Sequence, residues 1–423
     1  YSDENRLNKA IAWFIKDLEH DPDAGHLYAS LGELYEQKGD RQKAEKYFKT
    51  GVARDPGYSN NYRGLGLLCL DENDFAGAEY WLQKGLEQEP DDTRLNDSYA
   101  VFLMKKGDLK QAEKFYLKSL RLDPLYGCAY QGLGHLYKKM RRHDATVETF
   151  KTQIKRDRYE PTGYYDLAHY FYEIGQFENA MEHVTSALQV AHVRPHFLPR
   201  CLALKGYILS GQQKYDEAEK IFRRAIREYG ADAQLLAGLG HVYNARKDYG
   251  AAEDYFRRSL KYDDGNPMAD IGMGWVYANQ GRHAEAIRSF DRVLQIEPEH
   301  TLAKISMANS YNLTGQFDKA ETLFKEILAN DPENQYALAE IGAVYLNKKE
   351  YEKAREYLQK SVSLNDGTYT CPYEGLGVLY MSQGKVDEAQ SHLDKAISIN
   401  PDIEYRKFNE LAKIYMKQER FAQ

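Results

Sequence analysis

Long apolar runs, clustered cysteines and an excess of positive charge are all missing from this sequence of 423 residues. No apolar stretch approaches the roughly 20 residues that a membrane-spanning helix needs, so we expect no direct membrane insertion. Lys and Arg total 57 against 64 Asp and Glu, and the net charge of -7 repels a phosphate backbone. We therefore expect no nucleic-acid partner.

The four cysteines are widely spaced. Cys69, Cys128, Cys201 and Cys371 fall on separate predicted helices, and no CxxC pair occurs. This spacing indicates neither a disulfide framework nor a zinc site. It fits a reducing compartment, so we expect a cytoplasmic protein, with a periplasmic location as the alternative.

Motifs that mark catalytic centres are also scarce. The sequence has no HExxH, no GxSxG and no Cys and His arrangement that indicates a nucleophile. GLG occurs at Gly64, Gly132, Gly238 and Gly375, but none of the four extends to the GxGxxG nucleotide fingerprint. We expect that the chain is not an enzyme and uses no cofactor and no metal.

What the sequence does contain is a unit of 34 residues that repeats along the chain. The unit is first complete from Gly25 to Tyr58, and the next 34 residues reproduce its apolar and small positions. Such a period is typical of a stacked array of one supersecondary motif. Eleven units begin at residues 25, 59, 93, 127, 161, 199, 233, 267, 301, 335 and 370.

Two positions of the unit hold small residues. Position 8 is Gly or Ala throughout, and position 20 is Ala in ten of the eleven units. Small residues at a crossing let two helices approach closely, so each unit is predicted to be an antiparallel pair, helix A and then helix B. Position 24 carries large apolar residues and is predicted to be core. Its aromatic members are Phe48, Phe150, Phe222, Phe256, Phe290 and Phe324.

Glycine and proline mark where the helices end. Glycine adopts the left-handed terminal conformation without strain, and proline cannot continue a helix. Between the fifth and sixth units the spacing lengthens from 34 to 38 residues, and Pro195 and Pro199 fall in that stretch. We predict a bend at 193–198 that is not a domain boundary. The glycines predicted to end A helices are Gly39, Gly107, Gly175, Gly281, Gly315 and Gly384.

These recurring positions resemble those of the tetratricopeptide repeat family along the whole chain. The resemblance implies an all-α fold, a right-handed superhelical solenoid of stacked antiparallel helix pairs. We predict one continuous array, and both ends stop in mid-repeat, so we expect that it was cut from a longer array. Its parts are a second helix at 1–24, repeats one to five at 25–192, the bend at 193–198, repeats six to eleven at 199–403, and a first helix at 404–423.

The resemblance also implies a binding surface. In the family, A helices line a concave groove, and positions 2, 5, 9, 12 and 13 face a ligand. In the middle of the array, position 9 gives a row of ring side chains, and Tyr, Trp and Met are enriched in interface cores. An exposed Trp275 with no structural role is the strongest single indication. The predicted groove residues are His135, Tyr165, His169, Tyr172, Tyr207, His241, Asn244, Met268, Ile271, Trp275, Asn309 and Asn312.

Other interpretations of these rings remain open. They could instead pack against the neighbouring repeat or the insertion. A metal shared by His135, His169 and His241 is disfavoured, because adjacent helix axes lie about 8–10 Å apart and metal donors about 2 Å from the ion. Since imidazole gains a charge near pH ~6.5, we prefer a groove that binds an acidic peptide more weakly at about pH 8 than at about pH 6.

The fourth unit carries a basic patch in an otherwise acidic chain. Residues 127–160 contain eight Lys or Arg against four Asp or Glu. A charge run is usually only a solvated surface, but this one adjoins His135 and could receive an acidic segment. The patch consists of Lys138, Lys139, Arg141 and Arg142.

The function predicted from these features is a non-catalytic scaffold that binds a protein or peptide. An extended peptide or a partner helix would lie in the groove, and a place in a larger multi-protein complex is left open. The alternative is a targeting array of a larger enzyme or of a secretion or assembly complex, whose other domains lie outside this sequence. A third interpretation is an architectural spacer.

Overall fold

The computed structural model describes residues 2–364 and 369–400, and these residues form helices joined by short turns. The predicted first helix at 404–423 lies outside the described residues. The chain divides into two compact units, and the division falls between Gln212 and Gln213. None of the helices described is long and apolar enough to cross a membrane.

The first unit runs to Gln212 and the second begins at Gln213. The helices of the first are α1 (Ser2–His20), α2 (Gly25–Gln37), α3 (Arg41–Arg54), α4 (Ser59–Asp71), α5 (Phe75–Gln88), α6 (Thr93–Lys106), α7 (Leu109–Leu122), α8 (Gly127–Lys139), α9 (His143–Arg156), α10 (Pro161–Glu173), α11 (Phe177–Val190) and α12 (Leu198–Gly211). Those of the second are α13 (Tyr215–Tyr229), α14 (Ala233–Ala245), α15 (Tyr249–Tyr262), α16 (Pro267–Asn279), α17 (His283–Ile296), α18 (Thr301–Leu313), α19 (Phe317–Asn330), α20 (Gln335–Asn347), α21 (Tyr351–Leu364), α22 (Cys371–Ser382) and α23 (Val386–Ile399).

Both units are solenoids of helix pairs, as the repeat predicts. From α2 in the first unit and α14 in the second, the even-numbered helices are the A helices and the odd-numbered ones the B helices. Within each unit an A helix packs against the B helix that follows it and against the A helix of the next repeat. The A helices therefore form a continuous layer in each unit, and side chains from successive repeats can meet on it.

The aromatic core at position 24 is confirmed, and the structure explains the GLG motif. Phe48 is fully buried, and its ring lies between the A helix of its own repeat and that of the next. A Cβ atom on Gly32 would lie 2.3 Å from the Phe48 ring, and one on Gly64 would lie 2.4 Å from it. Gly66 is packed in the same way against Leu82 of its own repeat. The two glycines of GLG thus accommodate the core side chains of two successive repeats.

The predicted helix-terminal glycines are also confirmed. All six have φ between 74° and 94°, the left-handed region that favours glycine. Other repeats place a non-glycine residue there with φ between 55° and 61°: Asn73, Arg141, Gln213, Lys247 and Lys349.

Hydrogen bonds that join a carboxylate on a B helix to side chains of the A helix in the next repeat recur along the chain. The Tyr243 hydroxyl donates to Glu219 at 2.7 Å, and Arg246 Nη1 lies 2.6 Å from the same carboxylate. One arrangement of this kind recurs at Glu321, which accepts from Tyr345 and Lys348. Burial opposes ionisation, but hydrogen bonds from the cationic side chains and the tyrosines lower the pKa of both carboxyls to about 2. These carboxylates link repeats by charge-assisted bonds.

Two short 3-10 turns, Ala191–Val193 and Pro195–Phe197, occupy the predicted bend. Proline at the start of the second turn fits its lack of a donor N–H. Arg194 Nη2 lies 2.8 Å from Glu160 Oε2 and ties the stretch to the start of α10. Phe197 is buried, so the added residues are packed against the first unit.

Candidate functional site

Three successive A helices of the first unit, α8, α10 and α12, form a cleft of about 290 Å³. Helix α9 closes it with Thr146 and Phe150. We call it the A-helix cleft. Its other lining residues are Gln131, Gly134, His135, Lys138, Tyr165, Asp166, His169, Tyr170, Glu173 and Arg200.

Arg200 is held at one end of the A-helix cleft by two aromatic rings. Its guanidinium carbon lies 5.0 Å from the centre of the Tyr165 ring and 5.1 Å from that of Phe197. The two rings meet edge to face at 5.3 Å. Cation–π contacts at this distance are favourable, and Arg200 itself remains exposed. The arrangement fixes the guanidinium while its charge stays accessible.

Two carboxylates lie in the same cleft. Gln131 Nε2 donates to Asp166 at 2.9 Å, and burial raises the pKa of Asp166 to about 6, although Gln131 and Arg200 oppose the shift. Glu173 Oε1 lies 2.5 Å from Lys138 Nζ. The cleft therefore contains one carboxyl group that titrates close to neutrality.

The exposed histidines of the cleft, His135 and His169, lie on neighbouring A helices. Desolvation lowers the pKa of both rings, and the charge of Lys138 lowers it further. Glu173 acts in the opposite direction, and its Oε1 lies 3.8 Å from His169 Nδ1. Both rings are thus neutral at neutral pH and gain charge as the solution becomes acidic.

The other rings predicted for the first unit are less accessible. Tyr165 and Tyr207 are each only 7% exposed, so the expectation that they present open faces to a ligand is wrong. Tyr165 is covered by Arg200 and Phe197. Tyr207 packs on the half-buried Tyr172, with their ring centres 6.4 Å apart. These two tyrosines pack beneath the exposed side chains of the A helices and contribute little accessible surface of their own.

Trp275 in the second unit has a structural role, and the expectation of an exposed, free ring is wrong. It is half-buried, and its indole N–H donates to Ser306 Oγ of the next repeat at 3.0 Å. Its ring meets His241 edge to face at 5.8 Å. Burial lowers the pKa of His241 to about 4, although a hydrogen bond with the Met268 backbone opposes the shift. The pair stabilises the stack of repeats.

Ile271 and Met268 lie on the same helix, α16, with opposite exposure. Ile271 is 1% exposed and packs in a cluster with Phe290 and Val293. Its predicted place in the groove is wrong, because the side chain points into the core. Met268 is 42% exposed and lies on the surface.

The predicted amides of the second unit mostly bond to the next repeat. Asn279 Nδ2 donates to Asn244 Oδ1 at 3.2 Å, and Asn347 Nδ2 donates to Asn312 Oδ1 at 2.9 Å. These bonds use acceptors that were expected to serve a ligand. Asn309 differs, since its side-chain oxygen is buried and accepts no hydrogen bond from the described residues.

The predicted basic patch is divided between two environments. Lys138 faces the A-helix cleft and pairs with Glu173. Arg142 lies over the Tyr137 ring at 4.5 Å and pairs with Glu113 at 3.0 Å. Arg141 has φ 55° in a helix-terminal turn, and Lys139 is exposed. Only Lys138 contributes to the cleft.

Arg200, Asp166 and Gln131 were missed as site residues. Arg200 occupies position 2 of its repeat, Gln131 occupies position 5 and Asp166 occupies position 6. The sequence signal that pointed to this part of the site was the longer spacing before the sixth repeat. The added residues bring Phe197 and Arg200 into contact with Tyr165. Among the residues that the structure describes, no three His, Cys, Asp or Glu side chains group as metal ligands would.

Family models with one shared description match most of the chain, and it is the family that the sequence resembles. Models described as Tetratricopeptide repeat match residues 36–102, 243–309, 277–341 and 313–367. Further models with that description match 204–267, 372–403, 94–124 and 129–159. No curated protein matches the sequence.

Two solved structures illustrate the likeness. The crystal structure of the APC/C hetero-tetramer Cut9-Hcn1 is similar with a TM-score of 0.54 and 16% identity, over 98% of this chain and 88% of that chain. A tetratricopeptide repeat protein from Parabacteroides merdae ATCC 43184 has a TM-score of 0.46 and 19% identity, over 60% of this chain and 98% of that chain. The first likeness concerns the fold alone.

Proposed function

Because the chain belongs to the tetratricopeptide repeat family, whose arrays are protein-interaction scaffolds, we propose that it binds an extended peptide or a partner helix along its A helices without catalysing a reaction. The A-helix cleft of the first unit is the main contact point. Its exposed side chains come from three successive repeats, and this is the observation that carries the proposal.

The spacing of the A helices suits an extended peptide. Packed helices lie about 8–10 Å apart, and an extended chain advances about 3.3–3.6 Å per residue. A bound peptide therefore meets a new A helix about every third residue. The cleft offers donors from Lys138, Arg200 and the histidines, which could bond to peptide carbonyls or acidic side chains. A partner of this kind also fits a protein that works within a complex, as the similar Cut9 does in its hetero-tetramer.

Peptide display with site-specific crosslinking tests the proposal. Random peptides are selected on the purified chain, and the enriched peptides are then bound to two variants. In one, His135→p-benzoylphenylalanine places a photoreactive group in the cleft. In the other, Glu182→p-benzoylphenylalanine places it at an exposed site on the B helix α11.

We expect the enriched peptides to crosslink at position 135 and not at position 182. The Glu182 variant is the matched control, since it carries the same photoreactive group at an exposed site on a B helix of the next repeat, outside the cleft. Equal crosslinking at both positions, or a selection without enriched peptides, would overturn the proposal.

A further inference from the structure

The added residues before the sixth repeat build one end of the A-helix cleft. They place Phe197 against Tyr165 and bring Arg200 over both rings. Among the described residues, Arg200 forms no ion pair with a carboxylate. An arginine has five N–H donors, and a pair of them along one edge of the guanidinium matches the two oxygens of a carboxylate.

We propose that the A-helix cleft is a subsite for an aspartate or glutamate side chain of the bound peptide, held by Arg200, and that it binds more tightly as the solution becomes acidic. This inference deepens the proposed function and rests on it. It names the chemistry of the partner segment that enters the cleft.

The fixed position of Arg200 favours such a role. A free arginine loses rotational freedom when it binds, and a ligand site that is already ordered avoids much of this loss. The two rings hold Arg200 before any ligand arrives. Lys138 lies in the same cleft, but its charge is already matched by Glu173 at 2.5 Å. Arg200 has no carboxylate at ion-pair distance among the described residues, and the charge of Asp166 acts on it only while Asp166 is ionised. Arg200 is therefore the cation of the cleft that can pair with a new carboxylate.

The charges of the cleft are balanced near neutral pH. Lys138 and Arg200 are positive, Glu173 is negative, and Asp166 is ionised above its pKa of about 6. The remaining titratable groups that face the cleft are His135, His169, Tyr165 and Tyr170, and His143 of α9 contacts the Tyr170 hydroxyl at 2.5 Å.

Acid shifts this balance toward positive charge. Asp166 loses its negative charge as the pH falls through about 6, and His135 and His169 gain protons below the ordinary range of imidazole. Each of the three changes favours an anion beside Arg200. Conversely, a carboxylate in the cleft would favour protonation of all three groups, so binding takes up protons.

The test uses two probes, a labelled hexaglutamate peptide and its hexaglutamine counterpart, with binding followed by fluorescence anisotropy. The wild-type chain is compared with Arg200→Gln and with Arg158→Gln. Arg158 is the matched control, because it also stacks on a tyrosine, Tyr159, at 4.9 Å but lies outside the cleft. Both substitutions remove one positive charge from the first unit.

We expect hexaglutamate to bind and hexaglutamine to bind at least about tenfold more weakly. Arg200→Gln should weaken hexaglutamate binding about tenfold, whereas Arg158→Gln should change it by less than about twofold. Equal binding of the two probes, or equal losses in the two variants, would overturn the inference. Displacement of hexaglutamate by inorganic phosphate at lower concentration would overturn it too, since the subsite would then be a phosphate site.

A separate experiment tests the acid dependence by measuring hexaglutamate binding at different pH values. Wild-type affinity for hexaglutamate should rise about threefold or more from about pH 8 to about pH 5.5. A double variant, His135→Gln with His169→Gln, should lose part of that rise and keep the part that comes from Asp166. Asp166→Asn should raise the affinity at about pH 8, because it removes the negative charge and keeps an acceptor for Gln131. Affinity independent of pH in the wild type would contradict this part of the inference.

Failure of this inference can be told apart from failure of the proposed function. If selected peptides still crosslink at position 135 while hexaglutamate does not bind, the cleft binds peptides without a carboxylate and only the inference is wrong. If no peptide of either kind binds, both are wrong.

Discussion

Ring side chains at one groove-facing position of the A helices stay accessible in two repeats of the first unit, whereas two repeats of the second unit use them to join repeats. At position 9, His135 and His169 are exposed in the first unit, while His241 and Trp275 are half-buried in the second. The difference arises from the neighbouring repeat: Ser306 accepts the Trp275 N–H. A partner from the next repeat therefore makes a ring at this groove-facing position less available to a ligand.

The largest effect should come from Trp275. Trp275→Ala removes a half-buried ring together with its hydrogen bond to Ser306 and its ring contact with His241. We expect the second unit to lose about 2–3 kcal/mol of unfolding free energy. Arg200→Ala removes an exposed group from cation–π contacts and should cost less than about 1 kcal/mol in the first unit. Hydrogen exchange of peptides from α16 and from α12 measures the two changes separately.

A conservative control sharpens this comparison. Ser306→Ala removes only the acceptor of the indole N–H and should cost about 1 kcal/mol. If Trp275→Ala left hydrogen exchange in α16 and α18 unchanged, the ring would have no structural role, and the contrast between the two units would be lost.

The repeat fold could be predicted because its determinants are local in sequence. Small residues at positions 8 and 20 and a large one at position 24 encode the crossing of two helices, and the burial of Phe48 and Phe256 follows directly. The left-handed glycines were predictable for the same reason. The Tyr243–Glu219–Arg246 bonds also had a signal, since tyrosine follows glutamate by 24 residues at four junctions.

The site was harder to predict because exposure depends on side chains from other repeats. Position 5 holds apolar residues in many units, and Ala203, Ala237 and Ile271 are buried there. The residue types at this position therefore already indicated that Ile271 belongs to the core. Arg200 stands at position 2, which the family resemblance assigns to the groove, but this position alone does not predict its role. Its contact with Tyr165 depends on how the added residues fold, and the period of the repeat says nothing about them.

The next effect concerns pH, and it separates two kinds of carboxyl group. Burial raises the pKa of Asp97 on α6 to about 6, although Arg63 opposes the shift, and its Oδ1 accepts no hydrogen bond from the described residues. A raised carboxyl pKa means that this group favours the folded state at low pH, and that this contribution is lost as the pH rises through about 6. Asp97→Asn should therefore stabilise the first unit by about 1–2 kcal/mol near pH 7.5 and have little effect near pH 4.

Glu219 on α13 should behave in the opposite way. Its pKa is lowered to about 2 because the bonds from Arg246, Arg223 and Tyr243 outweigh burial. Its contribution is present above the ordinary pKa of glutamate and is lost as the pH falls toward about 2. Glu219→Gln should destabilise the second unit at neutral pH and progressively less in acid. Urea unfolding midpoints measured from about pH 3.5 to about pH 8 test both variants, and parallel pH profiles would contradict the assignment.

The smallest effect concerns the helix-terminal turns, compared at one turn of each unit. Lys247 in the second unit has φ 61°, and Asn73 in the first has φ 59°. A lysine is strained there, whereas asparagine tolerates this region. Glycine relieves the strain but loses more conformational entropy on folding, so Lys247→Gly should raise stability by about 0.5 kcal/mol and Asn73→Gly should leave it nearly unchanged.

Gly281→Ala is the reverse control. A Cβ atom there would touch nothing within 4 Å, so a loss of about 1 kcal/mol would report backbone strain alone. Equal gains in melting temperature for Lys247→Gly and Asn73→Gly would contradict the expectation that lysine is more strained than asparagine at this turn.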